Sequence, residues 1–196
     1  MKYKIILAIL FIPFFTFAQE RSIGIRLGEP LSITYKDFIS DYISYEFMLG
    51  SAGLNGNSYY QRDFENNPPS NNAFYVAHSS QKGISINARM AYNEDFTETF
   101  GIEQGYLLGY GGAGIQLRTA NITYTYATGI VSQPGVPLLE EQRTNVDFGP
   151  EAFIGAEYYF DDLPINIFAE AGFFLELLDR VGHVKGQGAI GIRYIF

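Results

Sequence analysis

The sequence contains no cysteine and no tryptophan. Without cysteine there is neither a disulfide framework nor a thiolate metal site, so the compartment has to be read from targeting signals rather than from redox chemistry. Histidine is scarce as well: His78 and His183 are the two present, and His183 has no second ligand near it, which leaves metal binding unsupported. Basic residues are few, 13 Lys and Arg against 21 Asp and Glu, and they form no cluster. A net charge of -8 excludes a nucleic-acid binder, because neutralising phosphates needs a basic surface. Past the N-terminus no apolar run approaches the ~20 residues of a membrane-spanning helix. If the mature chain sits in a membrane, only a closed barrel satisfies its backbone there.

What the chain has in quantity is Phe (17), Gly (21) and Tyr (15) in 196 residues. Aromatics favour strands, glycine serves tight turns and crowded barrel interiors, and the length suits one domain. The N-terminus reads Met1-Lys2-Tyr3-Lys4, then an apolar run from Ile5 to Phe17, then Ala18-Gln19-Glu20. This is the tripartite pattern of a cleaved export signal, with residues 1–18 removed and 19–196 forming the mature domain.

Period-two alternation then recurs along the chain and predicts an all-β fold: a closed antiparallel transmembrane β-barrel of about eight strands. Ile23, Ile25 and Leu27 oppose Ser22, Gly24, Arg26 and Gly28; Leu31, Ile33 and Tyr35 oppose Ser32, Thr34 and Lys36. Further strands are read near Ile43–Gly50, Ile84–Asn93, Leu107–Arg118, Glu151–Phe160, Ile165–Glu176 and Ala189–Phe196. On most strands the charged face also carries Gly, Ala or Ser, as a narrow interior requires, while the other face is aliphatic and aromatic, as hydrocarbon requires. Long links are expected at Ser51–Lys82 and Thr119–Asp147, and tight ones near Ser40-Asp41 and Asp161-Asp162. That parity puts both termini in the periplasm and the long loops outside the cell.

The face assignment points Arg26, Lys36, Arg89, Arg118 and Arg193 into the lumen beside Glu46, Glu151, Glu157, Glu170 and Glu176. Buried charges are tolerated when paired and hydrogen-bonded, so this set reads as a charge-balanced filling rather than an ion path.

At the C-terminus Gly188, Ile190, Ile192, Tyr194 and Phe196 end in aromatic-X-Phe, which resembles the assembly signal of outer-membrane barrels. With Ile23-Gly24-Ile25-Arg26-Leu27-Gly28, Ile33-Thr34-Tyr35-Lys36, Ile154-Gly155-Ala156-Glu157-Tyr158 and Gly191-Ile192-Arg193-Tyr194, the mature chain is similar to the small outer-membrane β-barrel proteins common in Bacteroidota. The resemblance implies outer-membrane localisation, outer-membrane lipids as surroundings and the barrel assembly machinery as a transient partner. It implies no agreed activity.

His78-Ser79-Ser80 is the one His/Ser grouping, and it loosely resembles the His-X-Ser of barrel lipid A deacylases. A histidine activating a serine would be hydrolase chemistry, but no acidic partner can be named, and the residues read as a polar loop leading into the fourth strand. The long loops interleave Tyr59, Tyr60, Phe64, Tyr75, Tyr124 and Tyr126 with Asn, Ser and Gly. Exposed tyrosines in that setting suit contact with an extracellular or outer-membrane protein. Val136-Pro137-Leu138-Leu139 adds an apolar patch. The sequence therefore predicts a non-enzymatic integral barrel without cofactor, acting as a structural or partner-binding component. A membrane-embedded lipid-modifying enzyme is the alternative, and a soluble lipocalin-like carrier, which needs an apolar interior, is the third.

Overall fold

The computed structural model describes residues 20–128 and 137–196. The export signal, Gly129 and Val136 lie outside the described residues. Eight strands follow in chain order: β1 (Ser22–Gly28), β2 (Leu31–Ser40), β3 (Ile43–Ser51), β4 (Ala73–Asp95), β5 (Tyr106–Thr128), β6 (Leu138–Tyr159), β7 (Ile165–Leu175) and β8 (Val184–Ile195). Each pairs antiparallel with the next, and β1 pairs with β8, so the sheet closes into a barrel. The closing seam sets Ile23 opposite Tyr194, Ile25 opposite Ile192 and Leu27 opposite Ile190.

Alternation fixes the register, because a slip of one residue would turn every apolar side chain inward. The burial that results is the inverse of a soluble protein's: Ile154 is 70% exposed while Glu157, on the same strand, is 0% exposed. Outward residues form a continuous apolar belt. Along β6 it runs from Phe148 to Tyr158, a height of ~26 Å at ~3.4 Å per residue and ~40° tilt, close to the ~25 Å band of outer-membrane barrels.

The two ends differ. At the terminus end the links are short, and a longer one carries Phe96 to Gly105. At the opposite end β4, β5 and β6 continue well past their neighbours, their mutual ladders running up to Ala73↔Thr128 and Ala127↔Leu138. Within the stretches Ser51–Lys82 and Thr119–Asp147, expected as loops, residues 73–82, 119–128 and 138–147 are therefore strand, and they rise from the barrel as a three-stranded flange. A helix, α1 (Asn57–Asn66), occupies the link before β4.

The flange was hidden in the sequence because its alternation changes sense. Above the belt the outer face carries Thr119, Asn121, Thr123 and Thr125, while Ala120, Ile122 and Tyr124 turn inward against α1. The tyrosines expected as exposed contact residues are instead a small core: Tyr59, Tyr60, Phe64 and Tyr124 are each 3% exposed or less, with Tyr75 and Tyr126 packed against them. Apolar area on α1 and on the flange's inner face is removed from water together, which is the driving force for seating the helix there.

Candidate functional site

All ten charged residues assigned to the lumen lie inside the barrel, none more than 7% exposed. Seven of them form one alternating chain of opposite charges across the middle of the barrel. Arg26 donates to Glu170 (2.7 Å), Arg89 to Glu170 (2.8 Å) and Glu46 (2.6 Å), and Arg193 to Glu46 (2.6 Å) and Glu157 (2.8 Å). Lys36 closes the chain on Glu157. Glu151 accepts from Asn87 (2.9 Å) and brings this layer to four cations against four carboxylates. Thr34 donates its hydroxyl to Glu46, and Asn93 accepts from Lys36 (3.1 Å). Such pairing is what lets ionised groups leave water, since an unpartnered buried charge costs several kcal/mol or more.

Inward aromatics complete the layer. The guanidinium of Arg193 lies 3.8 Å from the ring centroid of Phe168 and that of Arg89 4.1 Å from Phe153. Lys36 sits 4.8 Å from the Tyr110 centroid. These rings add cation–π attraction where the cations are dry. Gly191 makes room for one of them: a Cβ there would fall 2.3 Å from Phe168 Cζ. The free space among Lys36, Glu46, Arg89, Tyr110 and Arg193 is about 10 Å³, at the lower limit for one water molecule. A vestibule of about 390 Å³ opens below it at the terminus end, between Phe38, Asp41, Tyr42, Asn93, Asp95 and Tyr106.

A second layer closes the opposite end. Arg118 pairs with Asp147 (2.6 Å), and Lys185 with Glu29 (3.0 Å). The link after β3 crosses the mouth over this layer: Gly53 N–H donates to the Glu29 carboxylate and Gly53 carbonyl accepts from Lys185 (2.7 Å). Arg118 also donates to the Asn55 side chain (2.6 Å). Tyr59 of α1 reaches down and donates to Glu176 (2.6 Å). Burial, reinforced by the hydrogen bond to Glu176, raises the Tyr59 hydroxyl far above its ordinary pKa, so it stays a donor. Tyr124 donates likewise to Asp63 of α1 (2.9 Å).

Glu29, Asp147 and Lys185 are the interior charges that sequence reasoning missed. Asp147 continues the inward set Asn145, Asp147, Gly149, Glu151, and extending that alternation upward finds it. Glu29 sits in a turn, where alternation gives no signal.

His78 and Ser80 do share a face, paired across from Tyr124 and Ile122, but on a strand rather than in a loop. The His78 ring is enclosed by Tyr60 (5.3 Å), Tyr75 (6.0 Å) and Tyr124 (6.2 Å), and its Nδ1 meets the Tyr75 hydroxyl at 2.6 Å. Among the described residues no hydrogen bond joins His78 to Ser80 or to a carboxylate. Burial lowers the His78 pKa below its ordinary value. His183 lies 5.2 Å from Tyr59, and burial with Arg180 and Arg118 lowers its pKa too. No group of three or more His, Asp or Glu with metal-ligating geometry occurs among the described residues. Of the terminal signal, Ile190, Ile192, Tyr194 and Phe196 point outward, between 46% and 62% exposed.

No family model matches the chain, and no curated protein matches it. Among the solved structures that resemble it in outline are two of bacterial outer-membrane proteins. One is the N-terminal β-barrel domain of OprF from Pseudomonas aeruginosa, 12% identical over 91% of this chain and 96% of that one, with a TM-score of 0.46. The other is Ail, the attachment invasion locus protein of Yersinia pestis, in complex with the heparin analogue sucrose octasulfate: 12% identical over 92% of this chain and the whole of that one, TM-score 0.43.

Proposed function

We propose that this protein is an integral outer-membrane barrel with a closed lumen, without catalytic activity of its own, whose role is to hold a rigid β flange above the outer membrane as an interaction element. The observation that carries the reading is the inverted burial. A belt of outward Ile, Leu, Phe and Tyr surrounds an interior of paired ions, and hydrocarbon is the solvent in which that arrangement is stable. The space recorded among the ion pairs is about 10 Å³, room for one water molecule at most, which argues for a support rather than a pore. The flange, stiffened from inside by α1, carries Ser79, Gln81, Asn121 and Thr144 exposed on its outside, which suits a structure standing in water.

In this reading residues 1–18 are a cleaved signal, the assembly machinery recognises the terminal aromatic-X-Phe, and both termini face the periplasm. Fractionation tests the placement: the mature chain should be recovered with outer membranes and migrate differently on a detergent gel before and after boiling. Recovery as a soluble periplasmic protein would sink the proposal. Cysteines introduced at Asn71 and Asn121 should react with an impermeant thiol reagent on intact cells, and one at Asp161 should not. Reconstituted vesicles should show no swelling in small sugars.

A further inference from the structure

The flange has two free edges, and they are treated differently. Pairing of β3 with β4 stops at Gly50↔Ser85, and pairing of β6 with β7 stops at Glu151↔Phe174. Above those points one side of each strand is without a strand partner among the described residues. The β6 edge is guarded: it carries Glu140, Glu141 and Arg143, follows Pro137, and is met by the chain after β7, where Leu177 N–H donates to Phe148 carbonyl (2.9 Å) and the Asp179 carboxylate accepts from Val146 N–H (3.4 Å). The β4 edge is less guarded: Lys82 at its base is its one charge along Ala73–Lys82, and two bulges interrupt its pairing with β5. From Ala73 to Gln81 it is uncharged and free of proline, and Phe74 and Val76 stand 49% and 42% exposed beside it. The link that would cover it, residues 52–56, turns inward across the mouth and is tied there through Gly53 and Asn55.

Open edges offer a row of unpaired N–H and C=O groups, and proteins blunt them unless they are used. From this contrast we infer that the β4 edge receives an extended peptide segment of another, extracellular protein by strand addition. Two bulges, at Tyr75/Ala77 and Lys82/Ser85, bound the regular stretch to Ala77–Lys82 and so set the segment at about six residues. Running antiparallel to β4, it begins beside Lys82, where an acidic side chain fits. It continues past Ser79 and Gln81 with small hydroxyl residues, and ends with an apolar residue against Val76 and Phe74.

A second copy does not fit. Antiparallel pairing of two β4 edges needs a two-fold axis perpendicular to the strand, whereas upright barrels in one membrane are related by an axis along its normal. With strands tilted ~40°, that axis crosses the two β4 strands at ~80°.

The inference rests on the extracellular orientation proposed above, but binding to the purified barrel does not depend on orientation, so the two fail separately. The probe is a fluorescein-labelled hexapeptide reading glutamate, threonine, serine, threonine, valine, phenylalanine, titrated into the full-length folded barrel in detergent, with a proline-interrupted version as control. Saturable binding is expected, together with slowed amide exchange confined to Ala77–Lys82. Successive residues turn their N–H to opposite sides of the strand. One of Ser79→Pro and Ser80→Pro should therefore keep the unboiled gel mobility and weaken binding at least tenfold, while Thr144→Pro on the β6 edge leaves it unchanged. Absence of saturable binding, equal binding by a folded edge variant, or protection on β6 instead of β4 would overturn the inference.

Discussion

Arg89 grips Glu170 with both terminal nitrogens, Nη1 to Oε1 at 2.8 Å and Nη2 to Oε2 at 3.1 Å, at the centre of a barrel whose outer wall is apolar. The parallel fork is the strongest form of ion pair, and both side chains are 1% exposed, so solvent screening hardly weakens it. Glu170 also holds Arg26. Glu170→Ala leaves Arg26 without its carboxylate and Arg89 with Glu46 alone, and breaking such a buried pair is worth ~3–5 kcal/mol. Glu140→Ala, exposed on the flange, should change stability by less than ~0.5 kcal/mol. Urea unfolding of the refolded barrel followed by circular dichroism checks this ranking. Equally mild effects would show that the ion chain does not support the fold.

The barrel was legible because one physical rule, apolar side chains on one face and small or polar ones on the other, repeats at every second residue along the strands from Ser22 to Gly50, from Ile84 to Arg118 and from Glu151 onward. The same rule put Arg26, Glu46, Glu170 and Arg193 inside without any contact being known. It could not give their partners, since the bond of Arg193 to Glu46 joins residues far apart in sequence, and register around a closed ring decides it. The flange was illegible for a different reason. Ile122 and Tyr124 alternate with threonines, but the surface that buries them is α1, and nothing local to β5 announces a helix more than fifty residues upstream. Polar residues with scattered tyrosines then look like a loop.

Gly191 gives a test of interior crowding. Its missing side chain is replaced by the Phe168 ring, on which Arg193 rests. A methyl group there would also fall 2.5 Å from the Ile25 carbonyl across the β1–β8 seam. Gly191→Ala should therefore cost ~1–3 kcal/mol, as overpacking typically does, whereas Gly186→Ala, outward with nothing within contact distance, should be neutral. Midpoints of thermal unfolding in detergent compare the two; equal midpoints would remove the crowding argument.

The cap should respond to pH through its histidines. Burial lowers both His78 and His183 below the ordinary value near 6.5, so the folded cap binds fewer protons than the unfolded one over the interval below that value. Their contribution is fully present above about pH 6.5 and is lost as pH falls through the folded pKa values. Asp179 is raised by burial and acts in the opposite sense, losing stability as pH rises through its own range, so the histidine part has to be isolated by difference. Amide protection of α1 should fall between pH 7 and pH 5 more steeply in the native protein than in the His78→Gln, His183→Gln double variant. Parallel curves would show that the rings titrate freely.

Among the described residues, Tyr59 is the one side chain of α1 hydrogen-bonded to carboxylates inside the barrel. Its hydroxyl donates to Glu176 at 2.6 Å and lies 3.4 Å from Asp147, while the ring packs edge-on against Tyr60 and beneath Arg180. Tyr59→Phe keeps the ring and deletes the donor, leaving Glu176 with the Arg180 N–H (2.7 Å) as its remaining partner. Losing a hydrogen bond to a buried carboxylate is worth ~1–3 kcal/mol. None of that cost falls on the β ladder, so it should appear as local opening of α1 rather than as unfolding of the barrel. Arg62, exposed on α1, supplies a readout, because trypsin cuts there only when the helix opens. Cleavage after Arg62 should quicken roughly tenfold, the change in opening equilibrium that 1.4 kcal/mol produces, with the unboiled gel mobility unchanged. Cleavage at the native rate would mean that the aromatic core alone seats the helix, and loss of the folded band would mean that cap and barrel are one cooperative unit.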